Sequence, residues 1–361
     1  MKKYVPLFAR ISFLALTLSY LIYLVCVRSV ALADQVNATV GVGLRYVLAM
    51  ITYPLPFSFF ELLIILLPLL LVLLIILLVR RCNTFASRIR SVVALLGVIS
   101  LIFTSYIYTL GIGYHTTPVA ERIGIEDKKN ISAEELYSTI NIVIDEINAH
   151  APELTFLDGE TRIGYDSTEL SARLVEAYDS LILEYPILTN YPSRVKPVYF
   201  STVMSDLGIS GIYSFFTGEA NVNVEYPDYC LPYTAAHEMA HQRGICRENE
   251  ANFVAFLVTI RSDDPYIRYS GYLNMYEYLA SPLYRADPEL YYSAYGRLSE
   301  RARADIKASN AVYNKHKDSI LGKINDRLND AYLKANGTDG IVTYGYVVRL
   351  AVGYYQSENS K

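Results

Sequence analysis

Thr234-Ala-Ala-His237-Glu238-Met-Ala-His241-Gln-Arg-Gly244-Ile-Cys-Arg-Glu248-Asn-Glu250-Ala-Asn252 carries the spacing His-Glu-x-x-His. Residues four apart on a helix share a face, so His237 and His241 can each present an imidazole nitrogen to one metal ion. Glu238 is turned about 100° from the first histidine, within reach of a water on that ion. Zinc held by three protein ligands keeps a position for water and lowers its pKa to roughly 7, and a neighbouring carboxylate can take the proton released in attack on a carbonyl. The expected chemistry is peptide hydrolysis, with Glu238 as general base. Small apolar residues around the histidines and Gly244 just after them predict a buried helix ending near that glycine.

The third ligand falls in the following segment, which reads as the start of a second apolar helix. Glu248 and Glu250 are two apart, hence roughly 200° apart around a helix, so only one faces the ion. Asn252 lies one turn beyond Glu248, where an amide could orient a ligating histidine. Glu248 is therefore the expected ligand, with Glu250 the alternative. The pattern Glu-x-x-Ala-Asn resembles the downstream glutamate motif of gluzincin zinc peptidases, which usually stands much further from the second histidine. The short spacing here is closer to that of metzincins, but Arg247 occupies the place of their third histidine and cannot ligate zinc.

Outward from this motif, the first third of the chain is strongly apolar. Segments at about 11–30, 57–79 and 92–114 are each long enough to cross a roughly 30 Å hydrocarbon core. A cleavable signal peptide, with Ala31-Leu-Ala33 as processing site, competes for the first. Lys2, Lys3 and Arg10 precede the first segment, and Arg80, Arg81, Arg88 and Arg90 lie between the second and third. Three spans put both clusters on one side, which the positive-inside rule makes cytoplasmic. Residues 114–361 then form an extracytoplasmic domain, and residues 1–113 a membrane region in contact with the lipid bilayer. His-Glu-x-x-His stands far beyond the last span, in sequence too polar for lipid.

The whole chain of 361 residues is 52% hydrophobic, and that excess is concentrated before residue 114. A net charge of -4 gives no reason to expect a nucleic-acid partner, and the sequence shows no Gly-rich phosphate loop. Cys230 and Cys246 flank the metal helix, either as a disulfide or as two buried thiols.

The outer region predicts an α+β fold, mostly helical with a small sheet. Ser132 and Glu135 form a capping box for a helix burying Leu136, Ile140, Val143 and Ile147. A second helix begins near Ser167, with Leu170, Leu174 and Leu181 on one face. Residues 197–203 read as a strand. Alternation of Ala220, Val222, Val224 and Tyr226 with Asn221, Asn223 and Glu225 reads as a half-exposed strand. Residues 214–221 read either as the edge that holds an extended peptide substrate or as an ordinary hairpin of a small sheet. Tyr266, Tyr269, Tyr272, Tyr276 and Tyr278 read as a core stripe. An oxyanion donor, and roles for His115, His150 and His316, are not assigned by pattern.

Gly218-Glu219-Ala-Asn221, His237 to Gly244, and Arg247-Glu-Asn-Glu-Ala-Asn-Phe253, together with the apolar segments, resemble the bacterial family called domain of unknown function 3810. The resemblance implies a membrane-anchored, gluzincin-like zinc metallopeptidase of the cell envelope, acting on a peptide or protein. The competing class is a membrane receptor or scaffold that uses a zincin-like fold to bind peptides or cell-wall fragments. Glu238 separates them, because a structural metal site needs the histidines but not the base.

Overall fold

A computed structural model describes residues 5–81 and 84–358, so Lys2, Lys3 and Cys82 lie outside the described residues. The chain divides into two compact units. The first comprises Met1–Thr116 and Ser214–Glu219, the second Thr117–Tyr213 and Ala220–Lys361.

In the first unit, α1 (Leu7–Cys26) leads into α2 (Val30–Val36), a π-turn at Asn37–Gly41 and α3 (Val42–Thr52), followed by α4 (Phe59–Arg81) and α5 (Phe85–Thr109). Three helical stretches, Leu7–Cys26, Phe59–Leu77 and Phe85–His115, are long and apolar enough to cross a membrane. Their large side chains, among them Leu14, Leu69, Ile75 and Phe103, point outward. The first begins before Arg10, and the third begins at Phe85 behind a Thr84–Ser87 capping box. Arg88 and Arg90 therefore lie within α5 rather than in a loop.

α1 and α5 run parallel. A Cβ on Gly97 would meet Ala9, and one on Gly111 would meet Tyr23, at the same sequence offset. Cys26 and Ile107 share a small core with Ala33 and Ile112. The turn Ser214–Glu219 is held by several polar contacts within this unit. Ser105 Oγ donates to the Phe215 carbonyl at 3.0 Å and Thr52 Oγ1 to the Thr217 carbonyl at 3.4 Å. Glu219 is buried and accepts from the backbone N–H groups of Phe59 and Phe60 at 2.9 and 2.7 Å. Those are orphan donors at the start of α4, and a carboxylate there also complements the helix dipole.

The second unit runs through α6 (Val119–Ile123), α7 (Ala133–His150), β1 (Thr155–Leu157), β2 (Glu160–Arg162), α8 (Ser167–Glu184), β3 (Val195–Val198), α9 (Ser201–Asp206), β4 (Gly211–Ser214) and β5 (Glu219–Asn223). Beyond them come α10 (Cys230–Gln242), α11 (Glu248–Thr259), α12 (Pro265–Ala286), α13 (Pro288–Arg297), α14 (Glu300–His316), α15 (Ile320–Ala335), a 3-10 segment at Gly340–Tyr346 and α16 (Val347–Glu358). The capping box of α7 forms as expected: Ser132 Oγ accepts from Glu135 N–H, and Glu135 accepts from Ser132 N–H. Asp166, one residue before Ser167, caps α8. Leu170, Leu174 and Leu181 are buried, as are Tyr266, Tyr269, Tyr272 and Tyr276 of the tyrosine stripe.

The sheet order is β3-β5-β4, with Val195 to Val198 parallel to Ala220 to Asn223. The strand expected at 197–203 is confined to Val195–Val198, and the chain turns into α9 at Ser201. β5 is central and buried at every position, not half-exposed. Its polar alternation arises because the amides are satisfied inside: Asn221 Nδ2 donates to Ile212 O, and Asn223 Nδ2 to Ser205 Oγ and Ile209 O. Cys230 and Cys246 are buried and not joined in a disulfide.

Candidate metal centre

α10 is buried at every residue except the partly exposed Leu231, which suits its run of Ala235, Ala236, Met239 and Ala240. Hydrogen bonds fix its position. Tyr178 donates to the Ala236 carbonyl at 2.6 Å, and Tyr233 donates to the Asn252 carbonyl at 2.9 Å, tying α10 to α11. Arg243, fully buried between the rings of Tyr178 and Tyr191, donates to the carbonyls of Met239 and Tyr191 and to Asn190 Oδ1. Gly244, at φ 96°, then reverses the chain so that α11 begins four residues later beside α10.

This reversal brings three donor atoms together. His237 Nε2 and His241 Nε2 are 3.0 Å apart, and Glu248 Oε2 lies 3.2 Å from the first and 3.4 Å from the second. Ligands about 2.0–2.1 Å from a tetrahedral ion stand about 3.3 Å from one another, so the triangle has the size of a zinc face. His241 Nδ1 is 2.7 Å from the Ile245 carbonyl, which can only accept. Nδ1 therefore carries a proton, and Nε2 is the ring nitrogen directed at the cluster. The donor set fits a divalent metal, and its imidazole and carboxylate chemistry suits zinc.

Glu250 is elsewhere. It is buried against Arg247 at 2.9 Å and accepts from the Val119 backbone N–H at 3.1 Å. Asn252 does not orient a histidine as expected; its buried Nδ2 has no hydrogen-bond partner among the described residues. Within the first unit, His115 pairs with Tyr23 at 3.3 Å. In the second, His150 stacks on Tyr272, and His316 bridges Asp206 and Glu225.

Glu238 is buried beside the triangle. It accepts a hydrogen bond from the Tyr213 backbone N–H in β4. At Gly211, two residues earlier, an added Cβ would stand 2.5 Å from Glu238 Oε1 and 2.7 Å from Thr234 Cγ2. Only glycine leaves room for that carboxylate. Because Asn223 N–H donates to Ser210 O and Ile212 O also faces β5, residues 211 and 213 turn their backbone groups to the opposite edge. The edge next to Glu238 therefore belongs to β4. Residues 214–221, expected to supply it, are instead mostly the turn of the first unit and the interior strand.

Burial raises the pKa of Glu238 above the ordinary carboxylate value, and the imidazoles oppose that shift without cancelling it. For Glu248 the balance reverses: burial is outweighed by His241 and His237, which hold the carboxyl well below its usual range. His241 is pushed up to about 9, burial being outweighed by Glu248.

Tyr344, in the 3-10 segment, was not singled out by sequence. Its hydroxyl accepts from Asn329 Nδ2 at 3.3 Å. Burial raises its pKa first, followed by the charges of Glu248 and Glu238, which places the phenol within electrostatic reach of both carboxylates. It lies about a hundred residues beyond the motif and has no local pattern, among 33 tyrosines.

Residues 39–352 match the family described as Protein of unknown function (DUF3810), and the chain belongs to that family. Comparison with curated proteins and with solved structures gave no match.

Proposed function

We propose that this protein is a membrane-anchored zinc metallopeptidase that hydrolyses peptide bonds in envelope or extracellular substrates. The observation that carries the reading is the convergence of His237, His241 and Glu248 on one point, with a buried carboxylate beside them that has no part in the triangle. A site built only to hold a metal has no use for Glu238 or for the glycine that makes space for it.

In this reading His237, His241 and Glu248 hold zinc, whose Lewis acidity makes water nucleophilic near neutral pH. Glu238 accepts the proton from the attacking water and passes it to the leaving amine. The outward backbone groups of Gly211 and the outward carbonyl of Tyr213 hold the substrate chain in extended form. Tyr344 donates to the carbonyl oxygen as negative charge develops there. The three apolar helices cross the bilayer with the second unit outside the cytoplasm. Parallel α1 and α5 support this orientation, because Arg10, Arg88 and Arg90 then lie toward one end of the bundle.

The test is metal analysis of the full-length protein in detergent, with cleavage of a broad peptide library. One zinc per chain is expected. Glu238→Gln should keep the zinc and lower cleavage at least about a hundredfold, and full activity in that variant would sink the mechanism. Tyr344→Phe should lower kcat by roughly ten- to a hundredfold with KM little changed; an effect on KM alone would make the tyrosine a binding residue. Zinc without cleavage across the library would move the protein to the receptor class.

A further inference from the structure

Residues 30–52 form a helix continuous except for its π-turn, about 35 Å long at roughly 1.5 Å per residue and so long enough to cross a membrane. Its faces are inverted relative to a helix in water. Val30, Val40, Tyr46, Val47 and Ile51 are exposed, Ile51 to 66%. Asn37, Arg45 and Thr52 are buried. The segment holds two charged residues: Arg45 is fully buried, giving its guanidinium to the carbonyls of Asn37, Tyr108 and Thr109, and Asp34 is half-buried. The exposed face therefore carries no charge; its polar groups are Gln35, Thr39 and the Tyr46 hydroxyl, and Val40, Val47 and Ile51 make its apolar part.

The chain path rules out a fourth crossing. α1 and α5 are parallel, so the chain must travel from the end of α1 to the opposite end of the bundle exactly one net time before α5 begins. α4 makes that passage. The start of α4 is bound by Glu219, and the last turns of α5 by Phe215 of the same short turn. Both ends of the 30–52 helix stay at that level. Ala33 packs with Cys26, Ile107 and Ile112, a Cβ on Gly218 would stand 2.6 Å from the Ala49 nitrogen, and Thr52 reaches the Thr217 carbonyl. The middle stays there too, because Arg45 holds the end of α5.

We propose that residues 30–52 lie in the plane of the membrane surface where α1 and α5 end, with the face of Val40, Val47 and Ile51 sunk among the lipid headgroups and upper acyl chains. The occupant of this face is the bilayer, since the face continues the outward apolar surface of α1, α4 and α5 and shows no charge to water. An interfacial helix of this kind fixes the depth of the unit, as a buried Arg45 holds it against the end of a span. The inference rests on the membrane reading of those three helices.

The chain contains no tryptophan, so a single introduced indole reports without background. Full-length Val47→Trp and Ile51→Trp proteins, with Leu73→Trp in α4 as reference, would be placed in vesicles of phosphatidylcholine brominated either near the headgroup or deep in the acyl chain. For positions 47 and 51, stronger quenching by shallow than by deep bromine is expected, and the reverse for position 73. Stronger deep quenching at 47 and 51 would make the segment a span and overturn the proposal. Quenching there by aqueous acrylamide but not by bromine would put the face in water. Resistance to both would mean that protein, such as a second copy, covers it. If position 73 is not quenched by either lipid, the membrane reading itself fails, separately from the placement of residues 30–52.

Discussion

The two units of this chain bury opposite kinds of side chain. In the first, leucines, valines and phenylalanines of α1, α4 and α5 face outward while Arg45, Asn37 and Glu219 are inside. In the second, Ile140, Leu174, Phe253 and Phe256 are inside. The difference is the one expected of helices able to cross a membrane: apolar surface is excluded from water but is matched by acyl chains, whereas unsatisfied backbone groups are expensive in either setting. The polar residues buried in the two units consequently do different work. Arg45 and Glu219 satisfy main-chain groups at helix ends. His237, His241 and Glu248 point at one another and at a place where an ion can sit.

Removing Arg45 tests that contrast most severely. Arg45→Ala strips the guanidinium from the carbonyls of Asn37, Tyr108 and Thr109 and opens a void, and unfolding in detergent should show a loss of about 3 kcal/mol or more, with metal binding by the folded fraction unchanged. A loss within experimental error would mean that polar burial in the first unit is incidental. Gly211→Ala tests the second unit. Its methyl displaces the Glu238 carboxylate, so under the proposed function turnover should fall about tenfold, equivalent to about 1.4 kcal/mol, while metal binding by the triangle persists. Wild-type turnover would show that the close approach at Gly211 does not position the base.

The smallest effect is expected where a buried polar group of the second unit serves stability instead of a site. His316 donates toward Asp206 at 2.7 Å and Glu225 at 3.1 Å, and Lys315 also binds Glu225 at 2.6 Å. The hydrogen bond with Asp206 raises the His316 pKa above 6.5, followed by that with Glu225. Burial of Glu225 is outweighed by Lys315, Ser205 and His316, which bring it to about 2. A raised histidine stabilises fully below its unfolded pKa and loses that contribution as pH rises through its folded one. A depressed glutamate stabilises above about 4.5 and loses its contribution as pH falls toward 2. The thermal midpoint should therefore decline as pH increases beyond about 6.5, and His316→Gln should flatten that decline. An unchanged slope in the variant would remove His316 from the account.

Local chemistry by itself determined a good deal here. Helical periodicity put His237 and His241 on one face, Ser132 with Glu135 set the start of α7, and uninterrupted apolar runs marked the three long helices. These features depend on neighbours within a few residues, so sequence spacing fixes them. Tertiary structure decided what spacing leaves open. Spacing prefers Glu248 to Glu250 only through Asn252, which does not orient a histidine; the turn at Gly244 sets how α11 rotates against α10, so that Glu248 meets the imidazoles while Glu250 meets Arg247 and Val119. Cys230 and Cys246 sit near both ends of α10 yet form no disulfide, and the asparagines of β5 look like a solvent face until β4 and α9 cover them. Gly211 approaches Glu238 only through a contact distant in sequence, and Tyr344 feels the charges of Glu248 and Glu238 from a segment about a hundred residues further on, which no local pattern encodes. The same holds for residues 30–52, whose apolar and polar positions say which sides differ, while only the parallel packing of α1 and α5 shows that the helix stays at one end of the bundle.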